Sequence, residues 1–377
     1  MNPFKGHTPH TILVVVTRRI GDVLLTTPLI RSLKNAWPNA HIDALVFSRT
    51  EGVLAANPDV RAVLNIAPKP VLREHLCLLK KIWRAYDLAI SVVPSDRPTL
   101  YAWAAGKHSI GLVAAGNNQA WKRGLLSQHL PFDNLNTHTV TTNLQPAALL
   151  GIPLSPQVMV AWRTEDARAA QALLPFAADQ TAYVVLHPYP MYAYKTWHRA
   201  GWIALAQWLQ ARGLQVVLTG GPGGDERAYV NDLVRDLARV LPQSVVNLAG
   251  KIGLAGSAFI IGHAQLYVGP DTATTHIAAA LGVPTLALFG PSNPVKWGPW
   301  PKAVDALPQP YVMRGSQTRG NVTLLQGDDP RHCVPCLGEG CDKHVNSLSA
   351  CLQQLSAEQV IAAAEKMLAT SSVAHEF

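Results

Sequence analysis

Apolar residues in this chain fall into short unbroken runs separated by longer amphipathic stretches, and the two kinds alternate. The first run is Thr11-Ile-Leu-Val-Val-Val-Thr17. Its continuous β-branched character marks a strand buried on both faces of a parallel sheet. The loop Arg18-Arg19-Ile20-Gly21-Asp22 leads into a predicted helix from Val23 to about Trp37, with Leu25, Leu29 and Leu33 four residues apart and Pro38-Asn39 as its stop. His41–Phe47 reads as a second strand, residues near 71–84 as a helix, and Leu88–Val93 as a third strand. Strands and helices in this alternation predict a doubly wound parallel sheet with right-handed crossovers.

The rhythm restarts after the proline-containing stretch 151–180. Tyr183–His187 is a buried strand, Ala200–Arg212 an amphipathic helix, and Gln215–Thr219 a strand running into Gly220-Gly221-Pro222-Gly223-Gly224. Val245–Leu248, Leu266–Gly269 and Pro284–Phe289 read as further strands. The expected architecture is α/β, with a first Rossmann-like domain over 1–175 and a second over 176–355. A final segment, 356–377, carries a helix from about Ala357 to Leu368 that is free to cross back onto the first domain. Ligands are expected in a cleft between the halves, at the carboxyl ends of the strands.

A length of 377 residues suits two domains. Hydrophobic residues make up 48% and charged residues 15%, a balance that excludes a disordered chain. No apolar run approaches the ~18 residues of a membrane-spanning helix. The run Ile12–Val16 is too short for a signal peptide and meets Arg18-Arg19 directly. The reading is a cytosolic protein, with association to a membrane surface left open. Charge is lopsided: residues 1–180 hold eighteen Lys/Arg against eleven Asp/Glu, whereas the remainder is nearly balanced. Such a basic half fits either an anionic partner or a solvated face.

Three places carry candidate chemistry. Gly21-Asp22 follows a strand, where the aspartate serves either as a helix cap or as a general base facing the ligand. Val268-Gly269-Pro270-Asp271-Thr272-Ala273-Thr274-Thr275-His276 passes from strand to Ala-rich helix, and the free N–H groups of such a helix start suit a diphosphate. Its aspartate and threonines fit helix capping as well. Lys195, in the loop after strand 183–187, fits a point charge for a pyrophosphate leaving group. The glycine-rich turn at Gly220–Gly224 permits close backbone approach, and Asp225 or Glu226 fits a ribose-hydroxyl acceptor. No G-x-G-x-x-G is present, which argues against a nicotinamide enzyme.

Taken in order, Gly21-Asp22-x5-Pro28, Lys195-x-Trp197, Gly220-Gly221-Pro222, Leu248-Ala249-Gly250-Lys251, Asp271-Thr272-x3-His276-x-Ala278-Ala279-Ala280-Leu281-Gly282-x-Pro284 and Phe289-Gly290-Pro291-Ser292-x-Pro294 resemble the ADP-heptose:lipopolysaccharide heptosyltransferases of glycosyltransferase family 9. The resemblance runs from about residue 11 to the final helix. It implies a GT-B fold and an inverting, metal-independent transfer of heptose from ADP-heptose to a phosphorylated lipid A–core acceptor, with no required cofactor. It assigns Asp22 as base and Lys195 as phosphate contact, with Gly21, Gly221, Glu226, Asp271, Thr272, Ala273, Thr274 and His276 around the nucleotide sugar. Ala273 stands where many members have glycine. The partners it implies are the donor and the acceptor, with no nucleic acid; the basic first half adds an anionic inner-membrane surface on its cytoplasmic side as a further candidate. Other readings are a relative using another nucleotide sugar or a protein acceptor, and a non-catalytic nucleotide-sugar-binding protein.

Two features lie outside this set. Cys333-x2-Cys336-x4-Cys341-x9-Cys351 fits a structural metal knuckle or free thiols. Residues 69–84 place Leu72, Leu76, Leu79 and Trp83 on one helical face, with Arg73, Lys80, Lys81 and Arg84 off it. The simpler expectation is that this apolar stripe packs on the sheet; the functional one adds basic residues facing anionic lipid.

Overall fold

The computed structural model describes residue 4 and residues 8–303, 309–329 and 331–374. The chain divides into two compact units, with the boundary between Ala161 and Trp162. That boundary falls before the helix Thr164–Gln171, which packs on the helix Leu254–Gly262 of the second unit. The expected boundary at 175 gives way to it because the stretch 151–180 is not uniform linker.

The first unit is built on β1 (Thr11–Val16), β2 (His41–Phe47), β3 (Ala62–Ile66), β4 (Tyr86–Ser91), β5 (Gly106–Val113) and β6 (Gln128–Pro131). These pair in the order β3-β2-β1-β4-β5-β6, all parallel. β1 is central and buried along five of its six residues, as its uninterrupted apolar run requires. Its neighbours β2 and β4 lead to opposite sides, so the strand order reverses between β1 and β4.

The predicted helix after β1 is two helices, α1 (Ile20–Leu24) and α2 (Thr27–Ala36). Pro28 explains the break, because its ring conflicts with the carbonyl four residues earlier, that of Leu24, where α1 stops. Thr27 Oγ1 donates to that carbonyl at 2.8 Å. Asn143 Nδ2 donates to Leu25 O at 3.0 Å and Thr26 Oγ1 at 3.1 Å, which fixes the break. α3 (Leu72–Ile82) and α4 (Asp96–Ala105) cover one face of the sheet. Here the apolar stripe differs from expectation. Leu78 and Ile82 are buried in the core, whereas Leu72, Leu76 and Trp83 are 73%, 57% and 55% exposed.

The second unit holds β7 (Tyr183–Leu186), β8 (Gln215–Leu218), β9 (Val246–Asn247), β10 (Leu266–Pro270), β11 (Thr285–Phe289), β12 (Gln317–Arg319) and β13 (Val322–Gln326). Their order is β12-β13-β11-β10-β7-β8-β9, parallel apart from the β12–β13 hairpin. The reversal of strand order falls between β7 and β10. The terminal helix Ala357–Ala374 packs within this unit: Val360 and Ala364 join Trp197, Trp202 and Leu205 in one core. Its apolar face packs on the helix Arg199–Gln210 of the same unit. Among the described residues no helix is long and apolar enough to cross a membrane.

Candidate active site

In open α/β sheets ligands bind beyond the carboxyl ends of the strands where the order reverses. Each unit has such a point, and each predicted catalytic residue stands at one. In the first unit, Asp22 follows β1 and lies half-buried in the first turn of α1. The preceding Arg19 is the helix cap and makes no side-chain capping bond. Thr26 Oγ1 donates to the Asp22 carbonyl at 2.8 Å, holding the backbone of this turn. Gly21 lies beside it, also half-buried.

In the second unit, strand β7 delivers His187 and then the loop bearing Lys195, while β10 delivers Asp271. Lys195 Nζ donates to Asp271 Oδ2 at 2.5 Å and to the Asp271 carbonyl at 3.3 Å. The two side chains are only 17% and 9% exposed. Burial would raise the Asp271 carboxyl, but the Lys195 ammonium, His276 and hydrogen bonds from Lys195 and Ser292 outweigh it and hold the group below its ordinary range. An ammonium has three donors, so one remains for a ligand after both bonds to Asp271.

The Lys195 loop is pinned from behind. Trp197 is fully buried, its Nε1 donating to Leu355 O at 2.7 Å. A Cβ at Gly201 would come within 2.3 Å of its ring, so glycine is needed there. Ser349 Oγ donates to Tyr194 O at 2.6 Å and Gln353 Nε2 to Thr196 O at 2.7 Å. Ser349, Gln353 and Leu355 thus position Lys195. Sequence reasoning missed all three because their partners lie more than 150 residues away.

The turn after β10 is a hydroxyl network. Tyr267 Oη lies 2.8 Å from Thr274 Oγ1 and 3.1 Å from Thr275 Oγ1, and Thr272 Oγ1 lies 3.0 and 3.1 Å from the same two atoms. Thr275 Oγ1 also donates to Pro270 O at 2.5 Å. Burial pushes the Tyr267 phenol up to about 12, so it stays protonated. Gly269 fits under this network, where a Cβ would meet Tyr267 Oη at 2.5 Å. The helix Ala273–Leu281 starts here with Thr272 as its cap, yet Thr272 makes no side-chain capping bond. The expectation that Asp271 and the threonines cap this helix is not met: these side chains bond Lys195 and one another. The helix start thus has no side-chain cap from Thr272, and its first-turn N–H groups, at the positive end of the helix dipole, form an arrangement that suits a phosphate. Ala273 occupies the first helical position, where a methyl causes no backbone strain.

His276 Nε2 lies 3.8 Å from Asp271 Oδ1. Burial pulls its pKa down to about 4 against the pull of Asp271, so the ring is neutral near pH 7 and this contact is not an ion pair there. His276 Nδ1 is buried with no hydrogen-bond partner. His187, buried at the end of β7, lies with Nδ1 3.0 Å from Thr219 Oγ1 and is likewise pulled to about 4 by burial. Gly221 N donates to Glu226 Oε2, and a Cβ at Gly221 would collide with that carboxylate. Burial raises the Glu226 pKa, opposed by the Gly221 bond.

Of the two readings of the cysteines, structural metal knuckle or free thiols, the structure shows all five as free thiols, and among the described residues no three His, Cys, Asp or Glu side chains are grouped to hold a metal. Cys351 is buried against Gly290, and burial, then the nearby Cys336, Cys341 and Cys333 thiols, pushes it up to about 12. Cys341 Sγ is engaged instead by Arg331 Nη2 and Ala350 N, each at 3.3 Å.

Two doubly wound units, each with its polar groups at the strand-order reversal and one bearing a lysine–carboxylate pair beside a helix start, are the parts of a GT-B fold. Residues 76–323 match the model of "Glycosyltransferase family 9 (heptosyltransferase)". The chain is 32% identical over 288 residues to lipopolysaccharide heptosyltransferase 3 of Escherichia coli, covering 74% of this chain and 83% of the relative. In structure it is similar to a glycosyl transferase family 9 protein from Veillonella parvula, with TM-score 0.75, 21% identity and coverage of 96% and 97%. It is also similar to E. coli heptosyltransferase WaaC with ADP, with TM-score 0.69, 20% identity and coverage of 95% and 99%. The chain belongs to glycosyltransferase family 9, the heptosyltransferases.

Proposed function

We propose that this enzyme transfers heptose from ADP-heptose to the inner core of lipopolysaccharide, on the cytoplasmic side of the inner membrane. The observation that carries the reading is the buried Lys195–Asp271 pair beside the helix start at Thr272. It supplies a fixed cation and first-turn N–H groups at the place where a diphosphate would lie.

In this reading Asp22 takes the proton of the acceptor hydroxyl as its oxygen bonds to the anomeric carbon, while the bond from that carbon to ADP breaks and the configuration inverts. A positioned base contributes about 10²–10⁴ in rate. Charge accumulates on the departing diphosphate, where Lys195 and the N–H groups of Ala273 and Thr274 stabilise it. Asp271 orients Lys195, and neutral His276 offers a donor without adding charge. Glu226, held by Gly221, accepts from ribose hydroxyls. No metal is assigned to the donor, because the chain has no Asp-x-Asp motif to hold one on a diphosphate. The phosphorylated lipid A–core acceptor matches the basic surplus of the first 180 residues.

The test is transfer measured with a panel of nucleotide sugars and a core-bearing lipid A acceptor. ADP release and product formation with ADP-heptose alone would support the reading. Equal or faster transfer from another nucleotide sugar would move the donor assignment, and donor binding without turnover would replace the enzyme with a binding protein.

A further inference from the structure

The α3–α4 face of the first unit carries a surface that the transfer chemistry does not use. Val71, Leu72, Leu76 and Trp83 are all more than half exposed. At 100° per residue, Leu72, Leu76 and Trp83 lie within about 40° of one another on the helix, and Lys80 and Arg73 follow within about 60°. Leu78 and Ile82 turn to the core, and the half-buried Leu79, about 20° from Leu72, packs on it and bounds the exposed sector on that side. α4 adds the exposed Leu100 and the half-buried Trp103, whose ring meets Trp83 edge-on at 5.7 Å. The Arg84 guanidinium sits 5.9 Å from the Trp83 ring and 5.7 Å from the Trp103 ring. Tyr101 Oη and His75 Nδ1, 2.8 Å apart, tie α4 to α3, so the face is one fixed surface.

We propose that this face docks on an anionic lipid surface. The inference rests on the functional reading above only in taking the acceptor to be a lipid. Charge selects the occupant. Residues 69–84 hold Lys69, Arg73, Lys80, Lys81 and Arg84 against Glu74 alone. Glu74 is engaged in accepting from Val71 N at 3.0 Å. Among the described residues, Lys69, Arg73, Lys80 and Lys81 enter no ion pair. An exposed apolar sector with Lys80 and Arg73 along one edge, neither in an ion pair, and with tryptophan beside it, is the pattern of a helix lying in a membrane interface. A second copy docking by two-fold symmetry would set like charges against each other around the same apolar centre.

The test is cosedimentation with phosphatidylcholine vesicles, with and without phosphatidylglycerol, at low and high salt and without donor or acceptor. The wild-type chain is expected to bind the anionic vesicles at low salt, and less at high salt. Arg73→Glu/Lys80→Glu is expected to weaken binding at least about tenfold. Leu72→Ser/Leu76→Ser is expected to weaken it at every salt concentration, and both variants should keep wild-type ADP affinity. Equal binding to neutral vesicles, no vesicle binding, or wild-type binding by both variants would overturn the proposal. So would a solution dimer that Leu72→Ser/Leu76→Ser dissociates, which would give the face to a second copy. Because no nucleotide sugar is present, a wrong donor assignment leaves these outcomes unchanged.

Discussion

Replacing Lys195 by methionine tests the diphosphate site through two readouts that the structure couples. Methionine keeps most of the side-chain length but removes the ammonium, leaving the Asp271 carboxylate 9% exposed with no strong cation against it. Removing one partner of a buried pair costs about 3–5 kcal/mol, and some exposure of Lys195 places this case at the lower end. For a unit of this size each kcal/mol is worth about 2–4 °C in Tm. The sign of the pH dependence should also reverse. In the wild type the Asp271 pKa is held below its ordinary value, so the pair's stabilisation is complete above the unfolded carboxyl pKa and fades as pH falls through the lower folded value. In Lys195→Met both Lys195 contributions are lost, and burial, the largest influence on Asp271, is opposed only by His276 and the Ser292 hydrogen bond, so the folded pKa is expected to rise above the unfolded one. The variant should then gain stability as pH is lowered from neutrality toward that raised value. Thermal melts across pH, with ADP titrated calorimetrically at pH 7, check both effects. Loss of a charge-assisted contact worth about 1.5–3 kcal/mol predicts ADP binding weaker by about ten- to a hundredfold. An unchanged ADP affinity together with parallel pH–Tm curves would refute the placement of Lys195 at the phosphates and its coupling to Asp271.

Asp22→Asn should fold normally and bind ADP, but lose at least about a hundredfold in turnover; near-normal kcat in steady-state assays would remove Asp22 as the base. Trp197→Ala empties a fully buried site and leaves the Leu355 carbonyl with His198 Nε2 as its remaining neighbour at 2.9 Å, so denaturant titration should show about 3–5 kcal/mol of lost stability, and an unaffected midpoint would contradict the pinning of the Lys195 loop. Activity should survive EDTA, measured as product formed before and after chelation; loss restored by a divalent ion would bring a metal into the reaction. Thiol titration should find the exposed Cys77 and Cys336 fast and Cys351 slow until unfolding; stoichiometric zinc or iron in gently purified protein would instead support a metal held by the cysteines.

What the sequence revealed and concealed divides by the range of the physics involved. β1, β7 and β10 are legible because a strand buried on both faces leaves an uninterrupted apolar run, and the functional residues sit one loop beyond each. The break between α1 and α2 was written in Pro28, but the four-residue spacing of Leu25, Leu29 and Leu33 spans it without interruption. Of the expected stripe Leu72, Leu76, Leu79 and Trp83, only Leu79 packs against the core, beside Leu78 and Ile82, and periodicity alone does not say which apolar positions the sheet covers. The terminal helix, the Ser349–Leu355 support of Lys195 and the link from Tyr267 to the threonines are tertiary contacts. They have no local signature, since a buried donor announces its partner only after the chain has folded.

The central claim is that family chemistry runs here through Asp22 with ADP-heptose as donor. It is tested most directly by following product and ADP together, for the wild type and Asp22→Asn, with ADP-heptose and a lipid A–core acceptor. The account predicts one ADP released per heptose transferred by the wild type. It also predicts a folded, donor-binding Asp22→Asn enzyme that forms neither product at more than about a hundredth of that rate. Transfer by the variant at the wild-type rate, or no transfer from ADP-heptose by the wild type on any core acceptor, would contradict it.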